Sequence, residues 1–145
     1  ANNRLEKDGI EFMKSNTTGY FSVDNRERKY ILDLVGQPHK YARAFDMIYI
    51  PRFEGTTVTQ DAIDTHIDEI TLIELKVTRK FLPENPKGFF FGATENEFNF
   101  GKLLGSKFRF CFVSLNEKGS SYSLQTLEEL EARIKYRRIQ FQINL

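Results

Sequence analysis

The run Ile70-Thr-Leu-Ile-Glu-Leu-Lys-Val-Thr78 constrains the fold of this chain more than any other segment. Its β-branched and apolar residues favour a strand, and a strand sends alternate side chains to opposite faces. Thr71, Ile73, Leu75 and Val77 therefore share one face, and Ile70, Leu72, Glu74, Lys76 and Thr78 share the other. The first face is apolar enough to be buried. The second begins apolar and ends with a carboxylate and an ammonium. Burying either charge without a partner costs several kcal/mol, so something must compensate them. A metal ion together with a phosphate would do so.

At 145 residues the chain is long enough for one domain with a proper core, and residues 1–145 read as a single unit. The chain starts at Ala1, which fits either a processed N-terminus or a piece of a larger protein. Fourteen phenylalanines point to a core dominated by aromatic packing. No apolar stretch approaches the roughly 20 residues that span a bilayer, and no signal peptide is evident, so no membrane partner is expected. The single cysteine, Cys111, excludes an internal disulfide and a cysteine-rich zinc site. It sits in Phe108-Arg-Phe-Cys-Phe-Val113 and reads as a buried thiol in a reducing, cytoplasmic setting. A net charge of +1 gives no general attraction to nucleic acid, but leaves room for local basic patches.

The order of elements can be read from pattern and caps. Helices are predicted over 2–15 and 24–35, the second with Asp24 as N-cap, Glu27 in capping-box position and Gly36 as its stop. Residues 41–53 read as extended and 54–68 as a loop or variable hairpin. The strand at 70–78 comes next, then a turn-rich connection through Pro83, Asn85, Pro86 and Gly88. Phe89 to Gly92 reads as a short buried strand or loop. A helix over 94–104 opens on Thr94, with Glu95 and Glu97 suiting its N-terminus. A strand is expected over 107–115, an amphipathic helix over 123–134, and an alternating, half-solvated strand over 138–145. Together these imply an α/β fold, a mixed central sheet flanked by helices.

This order resembles the PD-(D/E)xK nuclease superfamily, whose fold is restriction-endonuclease-like. The residues that carry the resemblance are Asp46, in Ala44-Phe-Asp-Met-Ile-Tyr-Ile50, and Glu74 and Lys76, in Leu72-Ile-Glu-Leu-Lys-Val-Thr78. The stretch from Ile73 through Phe89-Phe-Phe, Glu95-Asn-Glu and Phe108-Arg-Phe looks similar to the nuclease-like module at the C-terminus of plant NO VEIN proteins, also found in bacterial restriction proteins. The resemblance covers roughly residues 24–115. It implies a Mg²⁺-dependent endonuclease that cuts DNA, in a restriction or defence system. Asp46 and Glu74 would bind the metal, and Lys76 would position the attacking water and steady the phosphate. Thr78, Arg79 and Lys80 would lie along the nucleic-acid backbone. Double-strand cleavage would call for a homodimer or a larger parent protein. The chain departs from the family where Phe45 replaces the proline before Asp46, and in the long gap from Asp46 to Glu74.

Elementary chemistry supports such a site. Mg²⁺ takes hard oxygen ligands and keeps several waters, so one or two carboxylates plus a phosphate oxygen suffice. Glu-x-Lys alone is a poor signal: Glu27-Arg-Lys29 has the same spacing on a helix, where residues two apart face different ways. Some relatives place a further acid on a preceding helix, and Glu27 is a candidate, although a capping role explains it as well. His39 and His66 lack metal-ligand spacing and read as loop histidines. Gln37 and Lys40 suit phosphate contacts or an ordinary loop alike. Arg133, Lys135, Arg137 and Arg138 form a basic patch or a solvated face. The stripe Phe89, Phe90, Phe91, Phe98, Phe100, Phe108, Phe110 and Phe112 reads as core rather than a base-stacking platform. Two other functions stay open: a non-catalytic nucleic-acid- or protein-binding module on the same scaffold, and a structural interaction domain.

Overall fold

The computed structural model describes residues 2–145. Strands β1 (Tyr20–Ser22), β2 (Met47–Tyr49), β3 (Thr71–Thr78), β4 (Phe108–Ser114) and β5 (Ser121–Gln125) form one five-stranded sheet in sequence order. The β3–β4 pair is parallel and the others are antiparallel, so the sheet is mixed. Helices α1 (Asn2–Asn16), α2 (Asn25–Leu34), α3 (Gln60–His66), α4 (Glu95–Leu104) and α5 (Leu127–Arg133) flank it. The α/β reading, a mixed central sheet with helices on its faces, therefore holds. Among the described residues no helix is long and apolar enough to cross a membrane.

Strand alternation divides the core in two. On one face Ile48, Leu72, Phe108, Phe110 and Phe112 pack against Ile31 and Leu32 of α2, Ile63 of α3, Phe100 of α4, and Leu127 and Leu130 of α5. On the other face Met47, Ile73, Leu75, Cys111 and Val113 meet Met13 of α1. Cys111 is buried, as its setting suggested, and burial pushes its thiol pKa up to about 12. The close approach of α1 depends on Gly9, since a Cβ there would lie 2.4 Å from Val77 Cγ2.

The phenylalanine stripe is core, as expected, with one exception. Phe100 stacks on Tyr41 with ring centroids 4.8 Å apart, and it meets Phe108 edge-on at 5.4 Å. Phe89 and Phe91 both pack against Phe112 at 5.0 Å from an irregular loop, while Phe90 points into solvent.

Several boundaries differ from the sequence expectation. Of the extended stretch 41–53, only Met47–Tyr49 is strand, and His39–Ala44 is a 3-10 helix. Tyr41, Ala42 and Ala44 are buried there, so packing of Tyr41 on Phe100 outweighs its preference for extended backbone. The presumed loop 54–68 contains α3, capped by Thr59 Oγ1, which accepts from the Ala62 N–H at 3.2 Å. Only Ile63 of that helix is buried, which leaves too weak an apolar period to be read. The helix expected over 123–134 splits at Thr126: residues before it join the sheet as β5, and Thr126 caps α5. Residues 138–145 form no strand; Ile139, Phe141, Ile143 and Leu145 are exposed. The segment pairs with neither edge strand of the sheet, β1 nor β5.

Candidate functional site

Register brings Asp46 and Glu74 together. Met47 pairs with Ile73 and Ile48 with Leu72 in the antiparallel β2–β3 ladder. Asp46 immediately precedes β2 and the ladder ends at Met47–Ile73, so Asp46 lies where β3 runs on from Ile73 into Glu74. Two backbone contacts fix the junction: the Asp46 N–H donates to the Ile73 carbonyl at 2.8 Å, and the Leu75 N–H donates to Asp46 Oδ2 at 2.9 Å. The aspartate is thus oriented by the strand that carries the glutamate.

Lys76 follows Glu74 on the same face. Its Nζ lies 3.2 Å from Glu74 Oε2 and 2.8 Å from Glu97 Oε1. All three side chains are largely removed from water, with Glu74 6% and Glu97 5% exposed. The parallel register places Phe110 beside Glu74 and Phe112 beside Lys76, which supplies the apolar floor. Burial raises the Glu74 pKa far above the usual carboxylate range, and the neighbouring Asp46 raises it further. Burial by itself would lower the Lys76 pKa, but Glu74 and Glu97 outweigh it and hold the group above its ordinary value. The lysine is therefore an ammonium.

A third acid joins from α1. The Glu6 pKa is raised by partial burial and by Asp46, and is lowered in part by Lys76 and Arg28. Glu6 thus stands beside Asp46 at the end of the sheet, one helical turn before Gly9, which sets how closely α1 approaches. Arg28 of α2 donates from Nη1 to the Phe45 carbonyl at 3.4 Å, just before Asp46. Neither Glu6 nor Glu97 was expected in the site. Glu6 precedes any strand and lies on a helix dense with charge, whereas Glu97 looked sufficiently explained by the α4 N-terminus. Glu27, the candidate helical acid, is not in the cluster: its carboxylate accepts from the Asp24 N–H at 2.9 Å and closes the capping box.

The cluster can be weighed as a cation site. Glu74 Oε1 is buried and, among the described residues, receives no hydrogen bond. Such an atom needs a proton or a cation, because an unpaired buried carboxylate oxygen is costly. Against this, among the described residues no three His, Cys, Asp or Glu side chains converge as a ready-made metal cage. Two carboxylates suffice for Mg²⁺ when waters and a phosphate complete the shell. Asp46 and Glu74 fit that lesser demand, with Glu6 beside Asp46.

The remaining residues fall around this centre. Thr78 ends β3 and Arg79 follows it, with Arg79 Nη2 paired with Asp8 Oδ2 of α1 at 2.7 Å. Thr78 Oγ1 accepts from the Lys80 N–H at 3.2 Å, and Lys80 is exposed. His39 bonds Asp33 at 2.7 Å and His66 contacts Glu69 at 3.4 Å. Arg133 donates from Nε to Gln125 Oε1, and the Arg137 guanidinium lies 5.8 Å from the Phe98 ring centroid. A cleft of about 350 Å³ is lined by Lys40, Arg43, Ala44, Thr94, Glu95 and Asn96. It adjoins the cluster in sequence on both sides, through Ala44 before Asp46 and Asn96 before Glu97. Among the described residues neither Lys40 nor Arg43 is in an ion pair.

No family model, curated protein or solved structure matches this chain.

Proposed function

We propose that the protein is a metal-dependent endonuclease domain of the PD-(D/E)xK type, hydrolysing phosphodiester bonds of DNA within a restriction or defence system. The observation that carries this reading is the gathering of Asp46, Glu74 and Lys76 along β3: Asp46 accepts from the Leu75 N–H, Lys76 Nζ lies beside Glu74 Oε2, and Glu74 Oε1 is buried with no donor among the described residues. A cation and a phosphate would satisfy the acids and the ammonium together.

In this reading Asp46 and Glu74 hold Mg²⁺, with Glu6 in reserve beside Asp46. The bound cation would polarise the phosphoryl group and lower the pKa of a water. Lys76 donates to a phosphate oxygen and steadies the negative charge that grows there as water attacks. The attacking water would give a proton to bulk water as its oxygen bonds to phosphorus, the phosphorus–oxygen bond to the leaving sugar would break, and the sugar oxygen would take a proton from a solvent water. Asp46 is held by the Leu75 N–H, so it needs little reorganisation to act. In this reading Lys40 and Arg43, which line the cleft, and the exposed Lys80 beyond β3 would meet neighbouring phosphates. Cutting both strands would require two such sites, hence a homodimer or a larger parent protein.

A second reading has its own observation. Lys76 already bridges two carboxylates, and no complete metal cage is formed among the described residues. On that reading the cluster is a self-neutralising remnant, and the domain binds nucleic acid or protein without cutting.

Incubation of plasmid DNA and of RNA with Mg²⁺ separates the two. The nuclease reading expects products that vanish with chelator and fall by at least about 10²-fold in Asp46→Ala, Glu74→Ala and Lys76→Ala, the scale of loss when a charge-stabilising group is removed. Equal cleavage by Glu74→Ala would sink it. Salt-sensitive binding that ignores chelator, with no product under any divalent metal, would favour the second reading.

A further inference from the structure

Three helices in this fold open on a Thr or Asp followed three residues later by Glu, the capping-box spacing. In α2, Glu27 reaches back to the Asp24 N–H at 2.9 Å, and in α5 Glu129 reaches back to the Thr126 N–H at 2.9 Å. In α4 the forward half of the box forms, with the Glu97 N–H donating to Thr94 Oγ1 at 3.1 Å, but the return half does not. The Glu97 carboxylate turns inward instead and takes Lys76 Nζ at 2.8 Å. The local stabilisation available to a Glu at this position is forgone for a buried contact with a strand residue.

That choice matters because Lys76 touches two carboxyl groups and one is needed elsewhere. Once Glu74 is committed to a cation, Glu97 alone remains to neutralise and aim the ammonium. A lysine beside a dication would otherwise swing toward water, since its stem is flexible and its charge strongly hydrated. Glu97 is well mounted for the task. Phe100, one turn along α4, stacks on Tyr41 and on Phe45, with the Phe45 ring centroid 5.9 Å away. Phe45 immediately precedes Asp46, so one aromatic stack locates both the aspartate and the helix that carries Glu97.

We infer that Glu97 is a positioning residue that holds the Lys76 ammonium against the scissile phosphate, rather than a ligand of the cation. The inference rests on the nuclease reading for its catalytic half, while the clamp itself is testable without turnover.

Two measurements on the full chain test it. In metal-free protein labelled with ¹⁵N at lysine Nζ, the Lys76 signal (assigned by its loss in Lys76→Ala) should be sharp and protected from exchange with water. It should broaden or vanish in Glu97→Ala and Glu97→Met, and persist in Glu97→Gln, which keeps an acceptor oxygen. Glu97→Met preserves bulk should the alanine variant fail to fold. In Mg²⁺-dependent cleavage, Glu97→Ala or Glu97→Met should lower kcat on the order of 10²-fold, the scale of a catalytic group displaced by about 1 Å, with KM little changed. Glu97→Gln should recover most of that loss. Placed on Lys76→Ala, the same substitution should add almost nothing, because both would remove one interaction.

An unaltered lysine signal in the Glu97 variants would overturn the clamp. Losses that multiply in the double variant, or a raised Mg²⁺ requirement for half activity, would overturn the assignment by making Glu97 an independent contributor or a metal ligand. A wild-type protein that cuts nothing would defeat the nuclease reading and the catalytic half with it. The lysine signal would still decide the clamp, so the two failures are distinct.

Discussion

At the scale of single residues, Glu74 has the most consequential surroundings. Burial against Phe110 and the neighbouring Asp46 both oppose its ionisation, so in the absence of a cation it keeps a proton well above the ordinary value of 4.5. The consequence for stability has a definite sign. The folded state then binds more protons than the unfolded chain, so stability declines as pH rises from about 4.5 through neutrality. Glu6 shifts the same way. Lys76, whose pKa is raised, contributes stability that is fully present below its unfolded value of 10.5, and so adds no slope in this range. The metal-free protein should melt at lower temperature at pH 8 than at pH 5.5. Glu74→Gln should flatten that dependence, and Mg²⁺ should raise the midpoint more at pH 8 than at pH 5.5. Thermal melts across pH, with and without Mg²⁺, measure all three. A midpoint that rises steadily from pH 5.5 to 8 without metal would contradict the assignment.

At the scale of elements, helices are held at the site by their ends and by one glycine. Thr94 caps α4 through the Glu97 N–H. Thr94→Ala should cost about 1 kcal/mol of stability, the usual loss for an N-cap, and should reduce cleavage more than that alone explains, since it loosens the turn bearing Glu97. Denaturant titration alongside the cleavage assay separates the two effects. At the other side of the sheet, Gly9 lets α1 lie directly on Val77. Gly9→Val should destabilise by about 1–3 kcal/mol, as overpacking does, and should move Glu6 away from Asp46. Stability by urea titration and the Mg²⁺ concentration for half activity should both change. A variant as stable as wild type would show that the contact is easily relieved.

At the scale of the whole molecule, the sheet is covered unequally. Helices α2, α3, α4 and α5 lie over the acid-bearing face, while α1 alone covers the other. The acids sit where β2 and β3 meet, close to the parallel β3–β4 pair through which α4 is delivered. Ile134 is the last residue packed against the main core, and beyond it the apolar residues Tyr136, Ile139, Phe141, Ile143 and Leu145 are all exposed. Truncation after Arg138 should therefore change folding stability by no more than about 0.5 kcal/mol, the range of surface changes that touch nothing buried. Comparison of urea midpoints tests this, and a large loss would mean that the segment is part of the folded unit.

Much of this organisation was already legible in local chemistry. The caps at Asp24 and Thr94, the strand at 70–78 and the sidedness of Glu74 and Lys76 all follow from periods and donor–acceptor needs within a few residues. So does the burial of most phenylalanines and of Cys111. What local chemistry could not supply was anything decided by a distant partner. Tyr41 and its neighbours became a 3-10 helix because Phe100 waits to stack on them, and α3 formed with a single buried side chain to announce it. The alternating tail pairs with neither edge of the sheet. Likewise the pairing of Lys76 with Glu97 spans 21 residues, and Glu6 meets Asp46 across 40 positions of chain. Sequence alone determined which side chains would be unable to remain buried unpaired; only the tertiary structure decided which partners reach them, because burial is a local property of pattern whereas pairing is a property of register and packing.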